Sequence, residues 1–358
     1  MEEALKEFLG DRSSLALLGV IAVCLVALGK FADMVVDYAV NLSERSGIPK
    51  VVIGATVVSL GTTAPEVAVS VLAAFKGNPG LAMGNAVGSI ICDTGLILGV
   101  ACLIRPLTIP WDIASRQGWV QLASGCLLVL LSIPWADPLS PYTDGAAGNF
   151  PQWAGFLFLV LLAVYLWVSV KWSVGLGSNG AGSDPALEPG EETDDENSAH
   201  ASASLLIVKI VLALTGVVLS ASILIPAVTI LAERMNVPEA IIAATLVAFG
   251  TSLPELVTAV QAARKGHGDL AVGNIIGADI LNSLFVAGAA AAVTPAGLTV
   301  DPSFFRLAFP AMLFVLIVFR IGIYVCRTEL TKRFGLVLLA AYFAYLGLSV
   351  ATGVNPGH

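Results

Sequence analysis

The sequence predicts an all-α polytopic membrane protein: ten transmembrane helices as two inverted five-helix repeats, with broken second and seventh helices. The composition is the first reason, because 57% of the residues are hydrophobic and 12% are charged, whereas soluble domains carry about 25% charged residues. The second is a series of apolar stretches, each near the roughly 20 residues that span a bilayer. The third is an internal match between the two halves of the chain.

The apolar stretches define ten predicted spans in chain order. The first is too long for the apolar core of a signal peptide, roughly 7–15 residues, and is therefore interpreted as an uncleaved span. The predicted spans cover residues 14–42, 51–75, 80–104, 117–134, 152–174, 204–232, 240–263, 270–294, 305–326 and 334–352.

An acidic segment divides the chain into domains 1–174 and 204–358. Residues 175–203 are rich in Gly, Ser and Pro, carry seven Asp and Glu residues and contain no Lys or Arg. Such a composition favours a disordered, solvated linker.

The two halves match at a constant offset of 189 residues. The clearest match pairs GTTAPE (residues 61–66) with GTSLPE (residues 250–255), and an ungapped register extends over some 55 residues. Because each half has an odd number of predicted spans, the second half enters the membrane upside down, and inverted repeats place the binding site at their interface near the midplane.

The basic residues predict the orientation. The chain has 18 Lys and Arg residues. With spans that alternate in direction, twelve of them lie on one side of the membrane and five on the other, and Lys30 lies inside the first span. The richer face is expected to be cytoplasmic. Both termini of this multi-pass protein are then external, and residues 175–203 are cytoplasmic.

Each hexamer combines features that break a helix and bind a cation. Pro65 lacks an N–H and clashes with the preceding turn, which frees carbonyls near Gly61 and Thr62. Free carbonyls are costly in hydrocarbon unless something satisfies them. Thr63 adds a hydroxyl and Glu66 a carboxylate one turn later. The simpler interpretation, a Pro-kinked helix whose Glu is satisfied by a neighbour, is less compatible with two copies in register.

The third and eighth spans add a second pair of polar groups. Ser89 and Asp93 lie four residues apart and share a helix face, and Asn282 occupies the position equivalent to Asp93. Glycines four residues apart, as at Gly273 and Gly277, let helices pack closely. The combined oxygen donors suit Ca²⁺ or Na⁺ rather than zinc or copper, so no cofactor is predicted beyond the transported ions.

These motifs give the chain a clear resemblance. It resembles the cation/Ca²⁺ exchanger superfamily, in its prokaryotic sodium/calcium exchanger branch, whose two alpha repeats correspond here to residues 54–103 and 243–293. The resemblance implies that Glu66 and Glu255 are the main Ca²⁺ ligands. It further implies contributions from the backbone carbonyls of Thr62 and Thr251, the Na⁺-binding hydroxyls of Thr63 and Ser252, and the side chains of Ser89, Asp93 and Asn282.

Two positions of the eighth span depart from the family pattern, and another feature separates the chain from proton-coupled relatives. Those relatives usually carry a G-N-x-x-E type motif, whereas this chain has Gly88 and Gly277 in place of that Glu. Ala278 replaces a serine of the eighth helix, which removes one hydroxyl. Its neighbour Asp279 is an extra acid where Asn is common, and either serves as an additional ligand or pairs elsewhere.

The first span also contains Lys30, Asp33 and Asp37. Their spacings of three and four residues allow an ion pair along one helix face, which favours a structural role near the cytoplasmic interface.

The predicted function is secondary-active antiport, exporting Ca²⁺ with the Na⁺ gradient by alternating access. The expected partners are Ca²⁺, Na⁺ and the lipid bilayer; no enzymatic activity, nucleic acid or obligatory protein partner is expected. A Ca²⁺/H⁺ or K⁺-dependent antiporter on the same scaffold is the main alternative, and a Ca²⁺-selective channel is a further one. Inverted repeats and broken helices favour a carrier over a channel.

Overall fold

The computed structural model describes residues 8–177, 203–235 and 250–352 and is mostly helical. In these ranges seven helices are long and apolar enough to cross a membrane, or eight if one bent pair forms a single span. The elements are α1 (Ser14–Ser46), α2 (Lys50–Thr62), α3 (Ala64–Phe75), α4 (Pro79–Ile104), β1 (Leu107–Thr108), α5 (Trp111–Ser132), α6 (Ser140–Thr143), β2 (Gly148–Phe150), α7 (Gln152–Gly177), α8 (Ala203–Arg234), α9 (Leu253–Arg264), α10 (Gly268–Ala292), β3 (Leu298–Val300), α11 (Phe304–Cys326), β4 (Glu329–Leu330) and α12 (Lys332–Thr352).

Two predicted boundaries need correction. Helix α5 begins at Trp111, six residues before the predicted span, because Asp112 and Arg116 continue the helix in spite of their charge. Helix α7 continues to Gly177, so the first residues of the predicted linker 175–203 are helical. The rest of that linker up to residue 202, and residues 240–249 of the predicted seventh span, lie outside the described residues.

Helices α4 and α10 form the centre of the molecule. In their most apolar windows 72% and 89% of the residues are buried inside the protein, against 17% for α12. The long helices α1 and α8 pack along one another at the periphery. The predicted polar positions of the third and eighth spans therefore lie in the protein interior rather than against lipid.

Glycines permit the close approach of α2 and α10. A Cβ atom on Gly273 would lie 2.2 Å from the Val51 carbonyl oxygen, and one on Gly277 would lie 2.5 Å from the Ala55 Cα. The backbones of the two helices are thus in direct contact, as the glycine spacing in the second half predicted. The equivalent contacts of the first half would involve residues 240 and 244, which lie outside the described residues.

Within the described residues, short π-helical segments lie inside three of the helices and at the start of α11. They span Gly54–Val58, Cys92–Ile97, Asn282–Ala287 and Phe304–Ala308. Such bulges often occur at functional sites because they shift the hydrogen-bond register of the helix. Asp93 and Asn282 lie in two of these segments, which the sequence did not indicate.

Two antiparallel ribbons connect the halves of the chain. Strand β1 pairs with β4, with Leu107 opposite Leu330, and β2 pairs with β3, with Gly148 opposite Val300. In each ribbon one strand precedes the acidic segment and the other follows it, so backbone hydrogen bonds join the two halves.

The acids of α1 pair with a distant lysine. Lys265 Nζ lies 2.7 Å from Asp33 Oδ1 and 2.6 Å from Asp37 Oδ1, and Gln261 Nε2 donates to the Gly29 carbonyl at 3.2 Å. The predicted pairing within α1, with Lys30, is therefore wrong for Asp33 and Asp37. These contacts attach α1 to the end of α9, the helix that begins at the second hexamer.

We expect Lys265→Gln to destabilise the protein by less than about 1 kcal/mol, because the ion pair is partly exposed. Burial lowers the pKa of Lys265, but the hydrogen bonds and charges of Asp33 and Asp37 outweigh it and raise the pKa overall. The ion pair should therefore contribute to the free energy of unfolding below the pKa of Lys265 in the unfolded state, about 10.4. This contribution should disappear as pH rises through the higher pKa of Lys265 in the folded state. Melting temperatures in detergent at low and high salt, and at neutral and alkaline pH, measure it.

Lys30→Gln is the matched control, because Lys30 forms no ion pair within the described residues. The proposed electrostatic attachment of α1 to α9 would be contradicted if Lys265→Gln lowered the melting temperature no more than Lys30→Gln does. It would also be contradicted if the effect of Lys265→Gln did not change with salt concentration.

Candidate cation-binding site

The second predicted span is broken at the first hexamer. Helices α2 and α3 meet at Thr63 with a bend of 45°, and Pro65 occupies the first turn of α3. Because Pro65 has no N–H to donate to Gly61, the backbone bonds across the break run from Thr63 to Ser59 and from Val67 to Thr63. The predicted break is therefore present. At the second hexamer, α9 likewise begins with Pro254 in its first turn.

The predicted site residues lie deep in the protein. Glu66 and Glu255 are each 0% exposed, and each lies in the first turn of its helix. Thr251 is partly buried, and the remaining positions are at most 2% exposed: Thr62, Thr63, Ser89, Asp93, Ser252, Asp279 and Asn282.

Several of these groups meet across the two halves. The Thr63 hydroxyl donates to Glu255 Oε1 at 3.4 Å, and Asn282 Nδ2 donates to Asp93 Oδ2 at 3.3 Å. The Glu66 carboxylate is close enough to those of Glu255 and Asp93 for the three to repel one another. Glu255 and Asp93 are thus each hydrogen-bonded to a residue of the opposite half of the chain.

Asn85 connects the two hexamers. Its Nδ2 donates to the Glu66 carbonyl at 3.2 Å and to the Ser70 hydroxyl at 2.9 Å, and its Oδ1 accepts from the Thr251 hydroxyl at 3.2 Å. In the sequence, Asn85 belongs to the pair Gly84-Asn85, which matches Gly273-Asn274 at the offset of 189 residues and was given no role of its own. The structure assigns it to positioning the first turn of α3 against the second hexamer.

The buried oxygens of the site outnumber their hydrogen-bond donors. Within the described residues these buried atoms have no hydrogen-bond partner: both carboxylate oxygens of Glu66, one oxygen each of Asp93, Glu255 and Asp279, the amide oxygen of Asn282, both amide atoms of Asn274 and the hydroxyl of Ser252. Buried acceptors without donors cost several kcal/mol each. A cation bound among them would remove that cost.

Carboxylates alone do not complete such a site. In the part of the chain that the structure describes, no three Asp, Glu, His or Cys side chains converge closely enough to hold a metal ion by themselves. Hydroxyl, amide and backbone carbonyl oxygens are needed as well, which is the mixed oxygen set that Ca²⁺ and Na⁺ accept.

Asp279 faces a different group of residues. Its Oδ2 accepts from the Thr94 hydroxyl and from Gln121 Nε2. The two partners lie on α4 and α5, so three helices meet at this carboxylate.

Thr94 and Gln121 were not among the predicted site residues. The signal that could have indicated Gln121 is the pair Gln117 and Gln121, two amides four residues apart in an otherwise apolar span. Both side chains are buried, at 0% and 2% exposure. Thr94 directly follows Asp93 and carries no comparable signal.

A comparison with models of protein families identifies the family of the chain. The model described as sodium/calcium exchanger protein matches residues 16–171 and 205–351, which is most of the sequence. The chain belongs to the sodium/calcium exchanger family. The resemblance inferred from the hexamers and the Gly-Asn motifs is thereby confirmed.

Relatives of this exchanger-family chain include a bacterial and an archaeal protein that match it over most of its length. Inner membrane protein YrbG of Escherichia coli is 33% identical over 317 residues, which cover 88% of this chain and 91% of that protein. Sodium/calcium exchanger MaX1 of Methanosarcina acetivorans is 30% identical over 336 residues, 90% of this chain and 95% of that protein. The structure of the sodium-calcium exchanger NCX_Mj without Na⁺ and Ca²⁺ covers 95% of this chain and 99% of its own, with a TM-score of 0.74 and 24% identity, so the two share a fold.

Proposed function

We propose that this membrane protein exchanges Na⁺ for Ca²⁺ and uses the Na⁺ gradient to export Ca²⁺ by alternating access. The observation that carries the proposal is the set of buried carboxylates Glu66, Asp93 and Glu255. Both oxygens of Glu66 and one oxygen each of Asp93 and Glu255 have no hydrogen-bond donor within the described residues. Ionisable residues inside membrane-spanning segments are costly and typically mark an ion or substrate pathway. The sodium/calcium exchanger MaX1 among the relatives supports the same assignment.

The proposed ion ligands are those that the sequence indicated. Glu66 and Glu255 hold Ca²⁺ from opposite sides, with the carbonyls of Thr62 and Thr251. Asp93, Asn282 and Ser89 complete the group from α4 and α10, and the hydroxyls of Thr63 and Ser252 serve Na⁺.

The proposed architecture is ten spans in two inverted repeats, with external termini and a cytoplasmic linker in a prokaryotic inner membrane. Two contacts support the repeat relationship. Asp93 and Asn282, which hydrogen-bond to each other, are separated by the repeat offset of 189 residues. The two β ribbons each take one strand from either half.

Obligatory exchange follows from the cost of buried charge. Each ion transferred to a low-dielectric interior costs several kcal/mol unless it is paired. A site with up to three ionised carboxylates and no cation should therefore resist reorganisation between inward-open and outward-open states, whereas a filled site can cross. The helices α1 and α8, which pack along each other outside the central group, are the proposed moving element.

Purified protein in liposomes tests the function. Vesicles loaded with Na⁺ and diluted into Na⁺-free medium should accumulate Ca²⁺, and vesicles loaded with choline should not. Uptake that follows a pH gradient and ignores Na⁺ would replace the proposal with Ca²⁺/H⁺ exchange. Uptake that requires K⁺ as well would indicate K⁺-dependent exchange, and rapid uptake without any counter-ion gradient would indicate a channel.

A further inference from the structure

Asp279 is a buried acid that the proposed Ca²⁺ and Na⁺ ligands do not explain. It is 1% exposed and lies on α10, where α4 and α5 pack against that helix. Its Oδ2 accepts two hydrogen bonds, from the Thr94 hydroxyl and, at 2.5 Å, from Gln121 Nε2. Gln121 Nε2 also lies 3.4 Å from the Thr94 hydroxyl oxygen, so the three side chains form one closed group.

The second carboxylate oxygen of Asp279, Oδ1, lacks a partner among the described residues. Oδ1 is buried and has no hydrogen-bond partner, and no Lys or Arg forms an ion pair with Asp279, within the described residues. A proton on Oδ1 would itself lack an acceptor there, and Oδ2 is already occupied by two donors. A cation beside Oδ1 is therefore the simplest way to satisfy this carboxylate.

The charge of Asp279 adds to that of the central carboxylates. Asp279 lies within electrostatic range of Glu255 and Asp93. Together with Glu66 these residues make four buried acids, so a divalent cation in the centre leaves negative charge unbalanced when all four are ionised. A further positive charge at Asp279 would compensate part of it.

We propose that Asp279, Thr94 and Gln121 form a separate site for a monovalent alkali cation, Na⁺ or K⁺, next to the central ligands. One carboxylate with neutral oxygens matches a single positive charge, whereas Ca²⁺ sites generally use several carboxylates. The Thr94 hydroxyl has lone pairs to offer, and the Gln121 amide presents an oxygen when it turns over. The site rests on the proposed function for its role in transport, since it supplies a counter-charge next to the exchanged ions.

Cation binding in detergent tests the site directly. Full-length Glu255→Gln protein, which lacks one central carboxylate, is freed of Ca²⁺ with a chelator. NaCl or KCl then replaces choline chloride at constant ionic strength while the melting temperature is measured. We expect a saturable rise in at least one salt, and the salt that produces it identifies the ion.

Adding Asp279→Asn should raise the half-saturating concentration at least about tenfold, because even the loss of an outer-sphere partner costs 10–100-fold in metal affinity. Adding Asp269→Asn instead is the matched control: Asp269 lies at the start of the same helix and accepts from the Leu270 N–H, so the half-saturating concentration should stay within about twofold of the parent.

The proposal is wrong if Asp279→Asn leaves the half-saturating concentration unchanged in both salts. It is also wrong if neither salt stabilises the parent while acidification does and Asp279→Asn removes that effect, because Asp279 would then hold a proton. Thr94→Val, which removes only the hydroxyl, provides the same comparison if Asp279→Asn does not fold. None of these measurements uses Ca²⁺ or a gradient, so their outcome is independent of the liposome test of exchange.

Discussion

Glu66→Gln and Glu255→Gln should each abolish Na⁺-driven Ca²⁺ uptake. Glutamine keeps the shape of the side chain and removes its charge, at positions that are 0% exposed. A unit charge at 4 Å is worth about 4 kcal/mol at an effective dielectric constant of 20, which corresponds to roughly a thousandfold in affinity. Initial rates of ⁴⁵Ca²⁺ uptake into Na⁺-loaded vesicles measure the loss.

Two comparisons make this result interpretable. Glu44→Gln removes the same charge from an exposed position at the end of α1 and should transport normally. Each variant should also retain a melting temperature near that of the parent or above it, because removing one of several mutually repelling acids does not destabilise the fold. Normal uptake by either Glu66→Gln or Glu255→Gln would refute the central site.

Gly273→Ala should lower the stability of the protein. The added Cβ would lie 2.2 Å from the Val51 carbonyl oxygen and 2.8 Å from the Val51 Cα. These are backbone atoms that cannot turn away, so α2 and α10 must separate. Overpacking of this kind costs about 1–3 kcal/mol, and the displacement would also move the first hexamer, which begins in the last turn of α2. A lower melting temperature and a reduced uptake rate are both expected.

Gly347→Ala is the matched control for this substitution. Gly347 lies within α12, and a Cβ there meets nothing within 4 Å. Alanine also has a better helix propensity than glycine, so stability should be unchanged or slightly higher. If the two alanine variants melted at the same temperature, direct backbone contact between α2 and α10 would be disproved.

The sequence predicted the features that depend on local chemistry. Pro65 cannot donate a hydrogen bond wherever the helix lies, so the break at Thr63 followed from the hexamer itself. The burial of Glu66 and Glu255 followed from acids inside apolar spans, and the equivalence of Asp93 and Asn282 followed from the repeat offset. The hydrogen bond between Asp93 and Asn282 was not predicted. Family membership followed from the same motifs.

Other features depend on packing between segments that are far apart in the chain. The partner of Asp33 and Asp37 is Lys265, more than 220 residues away, whereas the local spacing favoured Lys30. The π-helical segments around Asp93 and Asn282 also escaped prediction, since a shift of hydrogen-bond register inside a helix leaves no clear mark on composition.

The sequence by itself determined that this is a membrane protein of the sodium/calcium exchanger family with acids in its interior, because charge and proline in apolar spans constrain the chain locally. Only the tertiary structure decided which groups those acids meet. The direction of Asp279 on α10 follows from helix geometry, but its contact with Gln121 depends on how α5 packs against α10. That packing gives Asp279 a hydrogen-bond partner outside the proposed Ca²⁺ ligands and provides the basis for the proposed second cation site.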